Sequence, residues 1–492
     1  MANKRTNILL NLDWISIGIY LFLVIFGIVN IYSVSYSEVK PDFFDFSQRY
    51  VKQGLWMICA IVIAIAIILI NSKIFIYSSY PLYILSVLIL ISVLIFGTKV
   101  NAAKSWFQIG EIKIQPVEFV KITVCLCVAR FMSAKNFSFY RLEKLVVLFL
   151  IILTPIVSVI LQNDTGSALV FFSLLFVLFR EGFNQYLFFI ICTVVVLFVF
   201  SLLIPINYII LTIALILIIS FIVINRKTIH GKLILAFSIL FVLISLTILL
   251  KENIIFPSNE YLSEQIIEKQ QRLIKICILL NISLILLILL ILYFVKKNRS
   301  NIYFILLLFG LNSFVLSTDY FFNHILQEHQ RNRINEILGK TNDIYGNGYH
   351  LRQSKIAIAS GEFNGKGFLN GTQTKYNFVP EQSTDFIFCT ISEEWGFIGS
   401  TVILILFGCL IVRIIIRADK HRSSFARIYG YSIASIFFFH VAVNIGMTVG
   451  VFPIIGIPLP FLSYGGSSLW AFTILLFLFI KLDSDKISYF WE

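Results

Sequence analysis

The sequence predicts an all-α polytopic membrane protein, and three observations carry that prediction. Of its 492 residues, 59% are hydrophobic and 13% charged, with a mean hydropathy of +0.91, a balance too apolar for a soluble globule. Apolar runs of about 20 residues, the length that crosses a bilayer, recur along most of the chain. The basic residues sit in short loops between these runs, which is the positive-inside pattern. A formal charge of +13 would otherwise suggest nucleic acid. That reading needs Lys and Arg clustered on one domain, so no nucleic-acid partner is expected.

Taken in order, apolar runs at 14–35, 52–71, 79–97, 117–133, 145–162, 166–180, 185–204, 207–225, 233–250, 274–295, 302–319, 386–416, 425–450 and 467–481 each suit a helix. They amount to roughly fourteen crossings. With the N-terminus in the cytoplasm, Lys4/Arg5, Lys73, Lys135/Arg141/Lys144, Arg180, Arg226/Lys227/Lys232, Lys296/Lys297/Arg299, Arg417/Lys420/Arg422 and Lys481/Lys486 all fall on the cytoplasmic side. Both termini are therefore expected there. The first run follows Lys4 and Arg5 and has no small-residue cleavage site after it, so it reads as a retained span. Seven cysteines lie in apolar runs with no CxxC pair and no nearby histidine partner, which argues against disulfide or metal roles.

The opposite side carries the longer loops, at 36–51, 98–116, 251–273 and above all 320–384. A polar loop of that last length is uncommon unless it functions. The chain thus divides into N-terminal spans (1–204), an Ile/Leu-rich block of about four spans with no polar chemistry of its own (205–319), the long outer loop (320–384) and C-terminal spans (385–492). Attention centres on 342–396, which ends inside a span. It places Asp385, Glu393 and Glu394 at the mouth of an apolar helix, where ionisable groups are costly enough to read as functional.

Four further clusters accompany it. In 101–122, Lys104, Trp106 and Lys113 lie in an outer loop, Gln115-Pro116 opens a helix, and Glu118 and Lys121 follow three apart. This reads equally as an anchoring aromatic beside a self-neutralised ion pair. Gln162-Asn163-Asp164 interrupts two apolar runs; Asp164 is either a helix cap or a partner for Lys104, Lys113 or Lys121. Arg331, Arg333, Arg352, Lys355 and Lys366, with glycines interspersed, retain positive charge on the outer face and so point to an anionic ligand such as a lipid phosphate. Asn444, Pro453, Pro458, Pro460 and the run Ser463-Tyr464-Gly465 predict irregular backbone at membrane depth, tolerated where it walls a cavity. Asp385 itself is expected in the first turn of a span, capped by Ser383 or Thr384, where the helix dipole alone would favour a carboxylate.

The blocks QPVEFVKI, QNDTGSA, GYHLRQSKIAIASGEFNGKGF, VPEQSTDFIF, EEWG and PLPFLSYGGSS, in that order, resemble the SEDS (shape, elongation, division and sporulation) family. The GYHLRQSKIAIASG and GTQ segments make the likeness nearer to its rod-shape branch than to its division branch. The resemblance covers most of 10–200 and 320–485, so 207–319 looks like an insertion into a ten-span core. It implies a peptidoglycan glycosyltransferase of the bacterial inner membrane that polymerises lipid II on the outer face. The same likeness implies a class B penicillin-binding protein as partner within a cell-elongation complex. Asp385 occupies the position of the family's catalytic carboxylate, Asp164 that of its second acid, and Arg331 and Arg333 those of its loop arginines. Three positions depart from the pattern. Ser105 stands where Arg often precedes Trp106, Asn163 replaces a proline, and Asn377 replaces a Glu eight residues before Asp385.

The chemistry expected is attack of an acceptor sugar hydroxyl on the donor's anomeric carbon, with undecaprenyl diphosphate leaving. Diphosphate is a good leaving group once its charge is neutralised, so one base suffices. Asp385 is assigned as that base. Lys104, Arg331, Arg333 and Lys355 are assigned to the diphosphate, with Mg²⁺ or another divalent cation as an optional bridge and no organic cofactor. Trp106, Lys113, Gln115, Glu118, Lys121, Asp164, Glu381, Ser463, Tyr464 and Gly465 are expected to line the substrate cavity, and membrane lipid to surround it. The rival readings are a lipid-linked precursor flippase, which also needs many spans and a charged cavity, and a non-catalytic cell-wall scaffold.

Overall fold

The computed structural model describes residues 11–36, 48–100, 103–110, 112–186, 347–376 and 378–485, with isolated positions between 188 and 331. Two compact units divide the chain, one of Met1–Gln185 with Gly339–Glu492 and the other of Tyr186–Leu338. The inserted block expected at 205–319 falls almost wholly outside the described residues, as do Arg333 and Asn377.

In the first unit the helices are α1 (Trp14–Ser35), α2 (Arg49–Leu69), α3 (Ser72–Tyr77), α4 (Ser79–Phe96), α5 (Pro116–Met132), α6 (Leu142–Leu161), α7 (Thr165–Phe171), α8 (Leu174–Arg180), α9 (Asn347–Ser360), α10 (Thr372–Lys375), α11 (Ile387–Asp419), α12 (Ser424–Val449) and α13 (Gly466–Ser484). Seven of them, α1, α2, α4, α6, α11, α12 and α13, are long and apolar enough to cross a membrane. Their outward residues are large hydrophobes, such as Ile58, Val62 and Ile65 on α2 and Ile84, Leu88 and Ile95 on α4. Faces of that kind are matched by hydrocarbon. The protein is a multi-pass membrane protein.

The buried centre is formed by α5, α12 and α13. In their most apolar windows, α13 is 83% buried and α12 67%, against 22% for α2 and α4. Helix α1 runs antiparallel to α11 and is tied at both ends. At its start Asp13 accepts from Arg413 Nε at 2.8 Å and lies 3.4 Å from Arg417 Nε; near its finish Asn30 accepts from Trp395 Nε1 at 3.2 Å and the Ser33 hydroxyl donates to Glu394.

Two segments differ from the sequence expectation. The outer loop 98–116 folds as an antiparallel sheet of β1 (Thr98–Val100), β2 (Ala103–Ile109) and β3 (Ile112–Ile114). Phe107 pairs with Ile114 and Ile109 with Ile112 across a turn in which Gly110 takes φ +62°. The single run expected at 166–180 is divided into α7 and α8 by a turn at Phe172 and Ser173.

Helix α11 breaks where the sequence places Gly396, whose backbone sits at φ 64°, ψ −160°, a region open essentially to glycine. The groups freed by the break are taken up by the preceding loop. Lys366 N and Gly367 N donate to the carbonyls of Glu393 and Glu394 at 3.0 Å, while Phe397 N and Ile398 N donate to the carbonyls of Glu362 and Phe363 at 3.0 and 3.3 Å. Buried backbone polar groups are thereby satisfied, as a low-dielectric setting requires.

Candidate active site

The site is built around a turn, not a helix end. Residues 381–386 form consecutive turns, and α11 begins at Ile387 with Phe386 as its N-cap. No acidic residue occupies the first turn of α11 and no side chain caps it. Asp385 therefore lies just outside the helix, correcting the expectation of a first-turn, hydroxyl-capped carboxylate. The hydroxyls are engaged elsewhere: Ser383 Oγ accepts from Arg49 Nη1 at 2.6 Å, and Thr384 Oγ1 is 3.1 Å from both the carbonyl and the carboxylate of Glu381. Glu381 is exposed and holds φ +52°.

Three elements grip this turn. From the irregular segment after α12, Ser463 Oγ donates to Thr384 O at 2.6 Å and Tyr464 N to Ser383 O at 2.8 Å. From α12, Asn444 Nδ2 donates to Asp385 O at 2.9 Å and to Ile457 O at 2.7 Å. From the first turns of α2, Arg49 and Gln53, four apart on one face, hold the two strands of this junction: Arg49 takes Ser383, and Gln53 Oε1 accepts from Gly465 N at 3.1 Å. The Asp385 side chain is half-buried, with exposed Gly456 opposite. A Cβ added to Gly456 would stand 3.4 Å from Asp385 Oδ2. Of the residues expected to wall the site, Ser463 and Tyr464 contact this turn directly, Ser463 as a buried strut.

Helix α9 closes one side. His350 stacks on Phe386 at 6.3 Å, and Ser354 Oγ donates to Thr448 O at 2.6 Å. Burial lowers the His350 pKa below its ordinary value, only partly opposed by Glu381. The exposed Lys355 crosses Gly450, where an added Cβ would meet its Cε at 2.5 Å. Arg49 and Lys355 thus bring positive charge to the surroundings of the turn. Arg331 is a partly buried helical residue of the second unit.

Glu118 and Lys121 are not placed to touch a substrate. Their side chains are 2% and 1% exposed and pair at 2.8 Å inside the helix bundle. Lys121 Nζ also lies 3.0 Å from His440 Nε2, and His440 Nδ1 lies 3.0 Å from Pro458 O. An ammonium only donates, so Nε2 accepts and the ring proton sits on Nδ1, donated to Pro458. His440 and Asn444 are one turn apart on α12, so the buried pair acts through that helix on the segment facing Asp385. It is a support, which corrects the reading of these two residues as cavity lining.

The other sequence candidates lie in the sheet and at the helix starts beside it. Lys104 Nζ donates to Leu94 O at 2.7 Å and Ile95 O at 3.0 Å, capping the C-terminal carbonyls of α4. Asp164 caps α7, accepting from Ser167 N at 3.1 Å, and accepts from Gln115 Nε2 at 2.9 Å. Of the two readings of Asp164 the helix cap is the one observed, and its partners are an amide and a serine, none of the three lysines. Trp106 is half-buried in β2, and Lys113 is exposed in β3 opposite Gln108.

Glu393 is the most heavily bonded acid. Fully buried, it accepts from Lys366 Nζ at 2.8 Å, Gln373 N and Thr374 N at 2.9 Å, and Thr374 Oγ1 at 2.8 Å. It anchors the Gly371-Thr372-Gln373 segment to the kink. Glu394 is buried beside Ser33. Among the described residues no three metal-ligating side chains cluster.

A family model described as a cell cycle protein family, FtsW/RodA/SpoVE, matches residues 13–208 and 273–487. The chain belongs to the FtsW/RodA/SpoVE family. Within that family it is 28% identical over 476 residues to a protein of Treponema pallidum (strain Nichols) named peptidoglycan glycosyltransferase RodA, covering 96% of this chain and 98% of that one. A shorter alignment, 44% identical over 145 residues, covers 30% of this chain and 39% of the Escherichia coli (strain K12) peptidoglycan glycosyltransferase MrdB. FtsW/RodA/SpoVE architecture is also seen in solved structures. A chain from work on a peptidoglycan synthase complex that coordinates polymerization and crosslinking aligns with TM-score 0.59, 20% identity and coverage of 97% and 98%. The Thermus thermophilus rod shape determining protein RodA aligns with TM-score 0.53 at 18% identity over 97% of this chain and 98% of its own.

Arg49, Gln53 and His440 were not singled out by sequence. The signal available was the four-residue spacing of Arg49 and Gln53 at the start of an apolar helix, and of His440 and Asn444 within one.

Proposed function

We propose that this chain is a peptidoglycan glycosyltransferase that polymerises lipid II into glycan strands for cell elongation, with Asp385 as general base. The observation that carries the assignment is that Asp385 stands outside α11, half-buried, on a turn fixed by Ser463, Tyr464 and Asn444. A carboxylate whose backbone is held in place is preorganised for proton transfer.

In the step proposed, the acceptor's sugar hydroxyl oxygen bonds to the donor's anomeric carbon as the bond to the diphosphate oxygen breaks. The hydroxyl proton passes to Asp385, and the electron pair leaves on undecaprenyl diphosphate, with inversion. Arg49, bonded to Ser383 in that turn, and Lys355 would offset the departing charge. A divalent cation such as Mg²⁺ would arrive on the diphosphate oxygens. The basic loops, Arg417, Lys420 and Arg422 among them, support a topology with both termini on the cytoplasmic side of the inner membrane and Asp385 on the outer face. The crosslinking partner is then a class B penicillin-binding protein, acting with other proteins of an elongation complex.

The test is strand formation from purified lipid II by the full chain with its partner, comparing wild type with Asp385→Asn. Loss of polymer at an unchanged melting temperature is expected; polymer at the wild-type rate would remove Asp385 as the base.

A further inference from the structure

A cavity lies far from Asp385, at the other end of α11. It is a half-open groove of about 650 Å³ between α1 and α11. Its walls are Ile15 and Ile19 on α1 and Cys409, Val412, Arg413, Ile416, Arg417 and Lys420 on α11. The α11 residues recur at spacings of three and four, so they share one face.

The lining is graded along the helices. Ile19, Cys409 and Val412 lie toward the middle of the two spans, whereas Arg417 and Lys420 lie at their ends. No lining residue is acidic. Arg413 and Arg417 are oriented by Asp13 behind them, and Arg417 also by Asp483 at 2.6 Å, yet both remain about 30% exposed. Lys420 is exposed and makes no ion pair among the described residues. A groove that is apolar toward the hydrocarbon and cationic at the interface is complementary to one amphiphile, a lipid with an anionic headgroup.

We propose that this groove is a binding site for an anionic phospholipid. An acyl chain lies along Ile15, Ile19, Val412 and Ile416, and the phosphate is held by Lys420 with Arg413 and Arg417. On the topology given above this is a lipid of the cytoplasmic leaflet, so it is distinct from the substrate, and the site does not depend on the activity.

The test is native mass spectrometry of the delipidated full chain with added dioleoyl phosphatidylglycerol or dioleoyl phosphatidylcholine. Wild type is expected to retain the glycerol lipid preferentially. Lys420→Glu, at an exposed position that leaves the Asp13 pairs intact, should lower that preference about fivefold or more, the attraction of one interfacial cation or greater. Ile19→Trp, which fills the groove, should lower retention while the melting temperature stays within about 3 °C of wild type. Equal retention of the two lipids by wild type, wild-type preference in Lys420→Glu, or wild-type retention in Ile19→Trp overturns the proposal.

Discussion

Asn444 joins two backbone carbonyls that are 72 residues apart in the chain, those of Asp385 at 2.9 Å and Ile457 at 2.7 Å. One side-chain amide thus sets the separation between the proposed base and the segment opposite it. Asn444→Ala should leave two acceptors unpaired, each costing about 1–3 kcal/mol when buried. Polymerisation should fall about tenfold or more through kcat, with little change in KM for lipid II, because the base is misplaced while the cations assigned to the diphosphate are untouched. Steady-state kinetics and thermal unfolding of the same preparation separate the two effects.

The Glu118–Lys121 pair is sealed from solvent. Lys121→Met should strand an unpaired carboxylate and cost about 3–5 kcal/mol, whereas the double variant Glu118→Leu/Lys121→Met should recover most of that loss. Unfolding of both variants in detergent measures the difference. A single variant as stable as wild type would show that the pair carries no structural burden.

Gly396→Ala should be more damaging than any surface change. A Cβ there would stand 2.2 Å from Gly365 N, and the backbone conformation is closed to alanine, so a loss of about 3 kcal/mol or more is expected. Expression level and a fluorescence-detected melting curve report it.

Acid should loosen the tie between the start of α1 and the end of α11. Burial works to raise the Asp13 pKa, but the Arg413 guanidinium, the Ser16 hydroxyl and Arg417 together outweigh it and hold the carboxyl below its ordinary 3.8. A folded-state pKa below the unfolded one means that the stabilisation is fully present above about pH 4 and lost as pH falls through the folded value. The melting-temperature gap between wild type and Asp13→Asn should be flat from neutral pH to about pH 5 and close below pH 4.

Much of the fold was legible because hydrocarbon imposes a simple code. The run read at 14–35 is helical over those residues. What escaped notice was tertiary. Strands of three to seven residues carry too little alternation to read, so the sheet at 98–114 passed as loop. Ser383 and Thr384 looked like caps because nothing nearby in sequence competes for them; the competitors are Arg49, more than 300 residues earlier, and the Glu381 turn. Lys104 looked like a ligand for Asp164, yet the open carbonyls of Leu94 and Ile95 claim it. The catalytic candidate itself came from resemblance joined to chemistry, since periodicity alone does not distinguish Asp385 from a helix-end acid.

The exchange of hydrogen bonds between 361–367 and the break in α11 has a practical corollary for hybrid proteins. A chimera that transplants the outer loop from a relative while keeping the recipient's span, or the reverse, would pair two halves of one joint that were never fitted to each other. Grafts made from 361 through 398 as a single piece should fold, and those cut between the two segments should not.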